Sequence, residues 1–311
     1  MLMNFYSNGK LLLTGEYAVL DGALSLALPT KYGQSLTITK TDNSVLSWKS
    51  LDEKGNIWFV GEFDIKHTPE KQSLFASSRI DSNQEEIANT LLKILLEAKK
   101  LNPEFLKGDC GFEVVTKLTF PRDWGLGSSS TLINNIAQWA KVDAFKLLWN
   151  AFSGSGYDIA CAQNNSPISY KVKNMNPEVA QVDFNPSFKD QLYFVYLNKK
   201  QNSREGIQHY KSIKKDKSKF LTEISEITLQ IIDCNSLKEF ERLINLHENL
   251  VSEIIGLPKI KDKLFPDYFG SVKSLGAWGG DFILATGNEK TPIYFKEKGF
   301  ETVLNYSDII L

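Results

Sequence analysis

Cysteine and histidine are scarce in this 311-residue chain, with three of each. Cys110, Cys161 and Cys234 are odd in number and far apart, which excludes a disulfide framework or a CxxC metal site and fits thiols in a reducing compartment. His67, His209 and His247 show no HxH or HExxH spacing, so a structural zinc site has no support. Long apolar runs are missing too: no stretch reaches the roughly 18 residues of a membrane span, and Met1 to Tyr6 lacks a basic region followed by an apolar one. The expected location is the cytoplasm, with no membrane partner. Neither sign of charge is in excess, since 36 basic and 37 acidic residues leave a net charge of −1, and nucleic acid is not an expected partner. The local cluster Lys214, Lys215, Lys217 and Lys219 reads as a solvated helix or loop face.

What the chain does have is enough apolar residue, 42% with 12% aromatic, to bury a large core over two domains. It also has three glycine-rich segments separated by long gaps. The central one is Pro121-Arg122-Asp123-Trp124-Gly125-Leu126-Gly127-Ser128-Ser129-Ser130-Thr131, between the strand-like run Phe112–Phe120 and a helix-like run with Leu132, Ile133, Ile136, Ala137 and Ala140 on one side. Gly125 and Gly127 permit positive φ and close backbone approach, and a helix starting near Ser129 aims its positive end at the same place. The segment reads as an anion cradle, with a Gly-Ser turn before an ordinary helix cap as the alternative.

Around it, roughly alternating apolar and polar residues predict strands at Gln34–Lys40, Val45–Lys49 and Ile57–Phe63, and Ile168–Val172, Gln191–Leu197 and Phe282–Thr286 are further strand candidates. Lys10 to Gly22 reads as a short strand, a turn carrying Glu16 and a second turn. His67 to Asn83 reads as a surface loop, followed by a helix with a Ser82/Glu85 capping box and an apolar face of Ile87, Leu91, Ile94, Leu95 and Ala98. Asp143 is placed to cap a helix carrying Leu147, Leu148 and Phe152, which ends at Ser153-Gly154-Ser155-Gly156-Tyr157-Asp158. Asn174 to Pro186 reads as a loop containing the domain boundary, giving domains over 1–185 and 186–311. Helices are expected over Ser203–Lys214, Phe220–Cys234 and Leu237–Ile255, and short β-type runs at the end.

The order of the lysine-glutamate strand-turn at Lys10–Gly22, the GLGSSS loop at Pro121–Thr131, the SGxD turn ending in Asp158 and the GAxGGD turn at Gly276–Asp281 resembles the GHMP kinase superfamily over nearly the whole chain. Gly15-Glu16-Tyr17-Ala18-Val19-Leu20 and Lys273-Ser274 before the last turn are most similar to mevalonate and phosphomevalonate kinases; Gly156–Ala160 matches a GYDIA-type branch. The resemblance implies an α+β fold of two domains, an N-terminal one like ribosomal protein S5 domain 2 and a C-terminal ferredoxin-like α/β sandwich.

It also implies ATP and Mg²⁺ as cofactors and transfer of the γ-phosphoryl group to a small-molecule acceptor, a reaction that needs positioning and charge neutralisation. Asp158 would orient or deprotonate the acceptor hydroxyl, with a plain turn aspartate as the alternative, and Lys10 would be the cation beside it, or else a solvated lysine. Gly125, Leu126, Gly127, Ser128, Ser129, Ser130 and Thr131 would bind nucleotide, with Ser129 taken for the metal. Glu16, Tyr17, Gly276, Ala277, Gly279, Gly280 and Asp281 would form the acceptor side, and Lys199 and Arg204 are further candidates for an acidic acceptor. Two departures stand out. Phe145 to Asn150 holds no acid where several family kinases carry a metal-binding glutamate, and Trp278 is bulky where the third motif is small, which reads as packing. The implied assembly is a monomer or homodimer. A diphosphomevalonate decarboxylase-like enzyme and a non-catalytic nucleotide-binding protein are the alternative functions.

Overall fold

The computed structural model describes residues 2–64, 82–108, 110–200 and 203–311. The loop expected over His67–Asn83 lies outside them except at Ser82 and Asn83, which open a helix instead; the side chain of Ser82, on which the capping box depends, lies outside them too. The chain divides into two compact units, one of residues 1–9, 32–122 and 127–163, the other of residues 10–31, 123–126 and 164–311.

β1 (Leu2–Leu12) and the 17-residue β2 (Ser25–Thr41) each supply residues to both units. In the first unit, β2 pairs antiparallel with β5 (Gly111–Leu118), β5 runs parallel to β3 (Val45–Leu51), and β3 forms a hairpin with β4 (Ile57–Asp64). Leu36, Ile38, Leu46, Trp48, Phe59 and Val114 of this mixed sheet are buried against α1 (Ser82–Leu101), α2 (Ser128–Ala140) and α3 (Ala144–Ala151). The apolar face foreseen for α1 is the buried one: Leu91, Ile94, Leu95 and Ala98 all belong to this core. Asp143 caps α3 as its position predicts, accepting from the Phe145 and Lys146 amides at 2.8 and 3.2 Å. The unit closes with α4 (Tyr157–Gln163), whose Ile159, Ala160, Cys161 and Ala162 are buried.

In the second unit, residues Ser25–Ala27 of β2 pair with β6 (Ile168–Lys173), and β6 forms a hairpin with β7 (Asn176–Gln181). β7 falls where a loop is expected from the sequence. Its residues are nearly all exposed, so no alternation marks it; the pairing is set by the turn at Asn174 and Met175, both at positive φ (51° and 58°), the twist that matches a two-residue hairpin. A second, antiparallel sheet has the order β11 (Val303–Asn305), β8 (Leu192–Tyr196), β10 (Phe282–Thr286), β9 (Val272–Ser274).

Helices α5 (Ser203–Ser212), α6 (Ser218–Ile232), α7 (Leu237–Ile255) and α8 (Ile260–Leu264) lie between β8 and β9 in the chain. The C-terminal run is not all β: α9 (Thr291–Glu297) starts with Pro292 in its first turn, a position that needs no amide hydrogen, and α10 (Tyr306–Ile309) carries an Asn305/Asp308 capping box. Of the clustered lysines, Lys214, Lys215 and Lys219 are exposed, whereas Lys217 pairs with Asp21 at 3.3 Å and covers the Tyr210 ring. Among the described residues, no helix is long and apolar enough to cross a membrane.

Candidate functional site

The loop after β5 takes the conformation its glycines allow. Gly125 has φ 66° and Gly127 φ 94°, and Gly127 is the N-cap residue of α2 with no side chain to satisfy the first amides of that helix. Those N–H groups and the helix dipole make the start of α2 attractive to an anion. The hydroxyls that follow divide into two kinds. Ser130 donates to Gly127 O at 2.9 Å and is buried; Thr131 Oγ1 is buried within 2.8 Å of Gln34 Oε1 and 3.0 Å of Ser128 O. Ser128 is half-buried and Ser129 exposed, so these two are the hydroxyls that a ligand at the helix start can reach.

Behind the serines, α2 carries two adjacent buried asparagines that sequence reasoning did not single out. Asn134 Nδ2 donates to Ser7 Oγ at 2.8 Å and Asn134 Oδ1 accepts from Gln163 Nε2 at 3.0 Å; Asn135 accepts from Ser7 Oγ at 2.8 Å and donates to Gln34 O at 2.9 Å. Buried amides that find all these partners fix geometry, because any displacement leaves a polar group unsatisfied. Ser7 lies on β1, Gln34 on β2 and Gln163 on α4, so α2 and α4 are held in one arrangement within the first unit. The available signal was an Asn pair between Ile133 and Ile136 on the face that packs inward.

Asp158 sits in the first turn of α4, half-buried, and its Oδ1 accepts from the Ile159 amide at 3.0 Å. α3 presents no carboxylate, and among the described residues no group of three or more His, Cys, Asp or Glu is gathered for a metal. The residues present offer an anion the start of α2, and α3 offers a cation no carboxylate there.

The second unit holds the other segments. The half-buried Lys10 donates its amide to Leu126 O at 3.0 Å, and Leu126 is fully buried. A Cβ on Gly125 would run into the carboxylate of Asp281. Asp281 has φ 52°; its amide donates to Lys199 O and its carbonyl accepts from the Leu197 amide, both at 2.8 Å. The side chains of Lys199 and Arg204 are exposed. Gly276 and Gly279 stand at φ 71° and 88° beside Gly280, and Ala277 is buried.

Trp278 is buried with Ala18, Ala23, Tyr210 and Phe220 and donates its ring N–H to Pro258 O at 3.0 Å, so its bulk serves packing. Its amide donates to the Tyr17 hydroxyl at 3.1 Å. Tyr17 is held at φ 60°, a strained conformation for an aromatic residue, and stacks on Tyr210 with 5.6 Å between centroids. Glu16 is wholly buried, with Lys273 Nζ 2.6 Å from its Oε1. Burial raises its pKa from 4.5 to about 7 against the opposing pull of Lys273.

No family model and no curated protein matches the chain. Solved structures do. The mevalonate kinase of Methanococcus jannaschii superimposes with a TM-score of 0.70 over 98% of each chain at 16% identity. The phosphomevalonate kinase of Streptococcus pneumoniae, in complex with phosphomevalonate and AMPPNP, gives 0.68 over 97% of this chain and 99% of its own at 16% identity. The galactokinase of Lactococcus lactis, complexed with galactose, gives 0.61 over 96% and 88% at 14% identity. Near-complete coverage in both directions, the mixed sheet with its helices and the separate antiparallel sheet lead to one conclusion: the chain has the α+β fold of the GHMP kinases.

Proposed function

We propose that the protein is an ATP-dependent phosphotransferase that moves the γ-phosphoryl group to a hydroxyl or phosphate of a small acceptor, with mevalonate or phosphomevalonate as the acceptor. The observation that carries this reading is the uncapped start of α2, where Gly127 offers no competing side chain and Ser128 and Ser129 stand open to a ligand. It is supported by the fold shared with kinases, one of them solved with AMPPNP. In this reading Gly125 to Thr131 receive the triphosphate, Ser128 and Ser129 by their hydroxyls and Ser130 and Thr131 by holding the helix start in shape. Ser129 would be the residue to hold magnesium, which when bound with the nucleotide would supply neutralisation of phosphate charge.

Asp158 orients the acceptor oxygen and, from a hydroxyl, takes the proton as that oxygen bonds to the γ-phosphorus and the bond from this phosphorus to the ADP oxygen breaks; Lys10 offsets charge on the transferred group. Tyr17 and Gly276–Asp281 bound the acceptor, and Glu16 contributes by anchoring Tyr17. The Glu16-Tyr17 pair and the Lys273-Ser274 sequence before the third turn favour an acceptor of the mevalonate series. A coupled assay of ADP release with mevalonate, phosphomevalonate, homoserine and sugars tests the reading. Turnover confined to a sugar would remove the acceptor assignment, and ADP accompanied by CO₂ would make the protein a decarboxylase. The absence of an acid on α3 favours one second reading, a protein that binds nucleotide without turning it over; ATP binding with no ADP from any acceptor would establish it.

A further inference from the structure

Four titratable side chains of the second unit are removed from water: Glu16, His247 and Lys273 at 0% exposure and Glu248 at 1%. Glu16 comes from the turn after β1, His247 and Glu248 from α7, and Lys273 from β9. Lys273 Nζ lies 2.6 Å from Glu16 Oε1 and 3.4 Å from Glu248 Oε1, and donates to Ser274 O at 3.0 Å. Glu248 Oε2 accepts the Ser274 amide at 3.1 Å. One ammonium between two carboxylates leaves an uncompensated negative charge in a site without solvent, an arrangement that a single bound proton corrects.

The geometry says which carboxyl holds it. The Gly15 amide donates to His247 Nε2 at 2.9 Å, so that nitrogen carries a lone pair and the ring is neutral; burial and the nearby ammonium keep it so by pushing the imidazole well below its ordinary pKa. Glu16 Oε2 is 3.2 Å from the same nitrogen and has no other hydrogen-bond partner. The lone pair of that nitrogen already accepts the Gly15 amide, so an ionised Oε2 beside it is repelled, whereas a protonated one removes the repulsion and can add its O–H only as a shared, three-centre donor.

We propose that Glu16, Glu248 and Lys273 form a clamp that keeps one proton on Glu16 in mildly acidic solution and releases it in mildly alkaline solution, making the joint between the turn after β1 and strand β9 sensitive to pH. The titratable groups facing Glu16 are Lys273 from β9, His247 and Glu248 from α7, and Tyr17 from its own turn. Lys273 favours the ionised form, Glu248 and burial oppose it, and His247 is neutral; the hydroxyl of Tyr17 is itself pushed up by burial. Glu248 is also raised by burial, but it keeps the Ser274 amide as a donor that suits a carboxylate. Glu16 is a positioning residue in this scheme. Its chain neighbour Tyr17 has the strained backbone conformation from which the hydroxyl takes the Trp278 amide.

A carboxyl raised on folding binds its proton more tightly in the native state. Its stabilisation is fully present below the ordinary carboxylate range and is lost as pH rises through about 7. Urea titrations of wild type, Glu16→Gln and Glu248→Gln from about pH 5 to about pH 8 read this out. The expected result is a wild-type folding constant that falls, relative to that of Glu16→Gln, about tenfold per pH unit up to about 7. Infrared difference spectra should show a protonated-carboxyl C=O stretch in wild type at pH 6 that is absent from Glu16→Gln and fades by about pH 8. Amide exchange over residues 13–17, corrected for intrinsic rates, should rise over the same interval in wild type and not in Glu16→Gln. Parallel stability profiles for wild type and Glu16→Gln, or a carbonyl band that survives Glu16→Gln and disappears in Glu248→Gln, would overturn the proposal. None of these readouts depends on which reaction the protein catalyses.

Discussion

Replacing Gly125 with alanine adds one carbon at a place where both the backbone and the neighbouring atoms oppose it. At φ 66° a side chain costs about 1–2 kcal/mol relative to glycine. The new Cβ would also fall on the carboxylate of Asp281, whose backbone is pinned through its own amide and carbonyl to Lys199 and Leu197. The Asp281 main chain is thereby restrained, and accommodation falls to an off-rotamer carboxylate or a displaced loop, at about 1–3 kcal/mol. Gly125→Ala should therefore lose about 2–5 kcal/mol of folding stability.

The second contribution disappears if the carboxylate is removed. In a double-mutant cycle with Asp281→Ala, the cost of Gly125→Ala should drop to the backbone contribution alone, a coupling of about 1–3 kcal/mol. The cycle cancels whatever other interactions Asp281 makes. Urea unfolding followed by tryptophan fluorescence measures all four proteins, with Trp124 beside the altered position as a local reporter. Additive losses, with no coupling between the two sites, would refute the close approach of Gly125 and Asp281.

Three further outcomes follow from the site geometry. Ser129→Ala, at an exposed hydroxyl, should leave the melting temperature unchanged and weaken ATP binding in calorimetry, whereas Ser130→Ala, which removes the bond to Gly127 O, should lower stability by about 1 kcal/mol. Asn134→Leu should destabilise the fold by about 2–4 kcal/mol in chemical denaturation, because Ser7 and Gln163 lose buried partners. Asp143→Ala removes the cap of α3 and should cost about 1 kcal/mol in the same measurement, with nucleotide affinity unchanged.

The elements that could be read from the sequence are those whose cause is local. Gly125, Gly127, Gly276 and Gly279 adopt the positive φ that their residue type permits, and Asp143 caps the helix whose start it marks. Leu237–Ile255 shows its apolar stripe over five turns and has the predicted ends. What escaped depends on partners distant in the chain. Asn134 and Asn135 fall beside the inward face of their helix, but nothing local identifies Ser7, Gln34 and Gln163 as the partners that surround them. Lys273 belongs to a recognisable motif, but its burial between Glu16 and Glu248 follows from the packing of β9 on α7. β7 shows no alternation because it is exposed on both faces, and its turn uses Met175 at a positive φ where glycine would have announced it. Thr291-Pro292 opens a helix in a stretch whose β-branched and aromatic residues look strand-like, since proline in a first turn sacrifices no hydrogen bond.

The central claim, phosphoryl transfer from ATP with Asp158 as the group that takes the acceptor's proton, is tested most directly by single-turnover ADP formation. Wild type, Asp158→Ala and Lys10→Ala would be compared at saturating ATP and magnesium with phosphomevalonate and with mevalonate, each variant first shown to unfold at the wild-type urea midpoint. The account predicts acceptor-dependent ADP formation by the wild type and a loss of about 10²–10⁴-fold in each variant with ATP binding retained. Wild-type rates in both variants, or ADP formation indifferent to every acceptor offered, would contradict it.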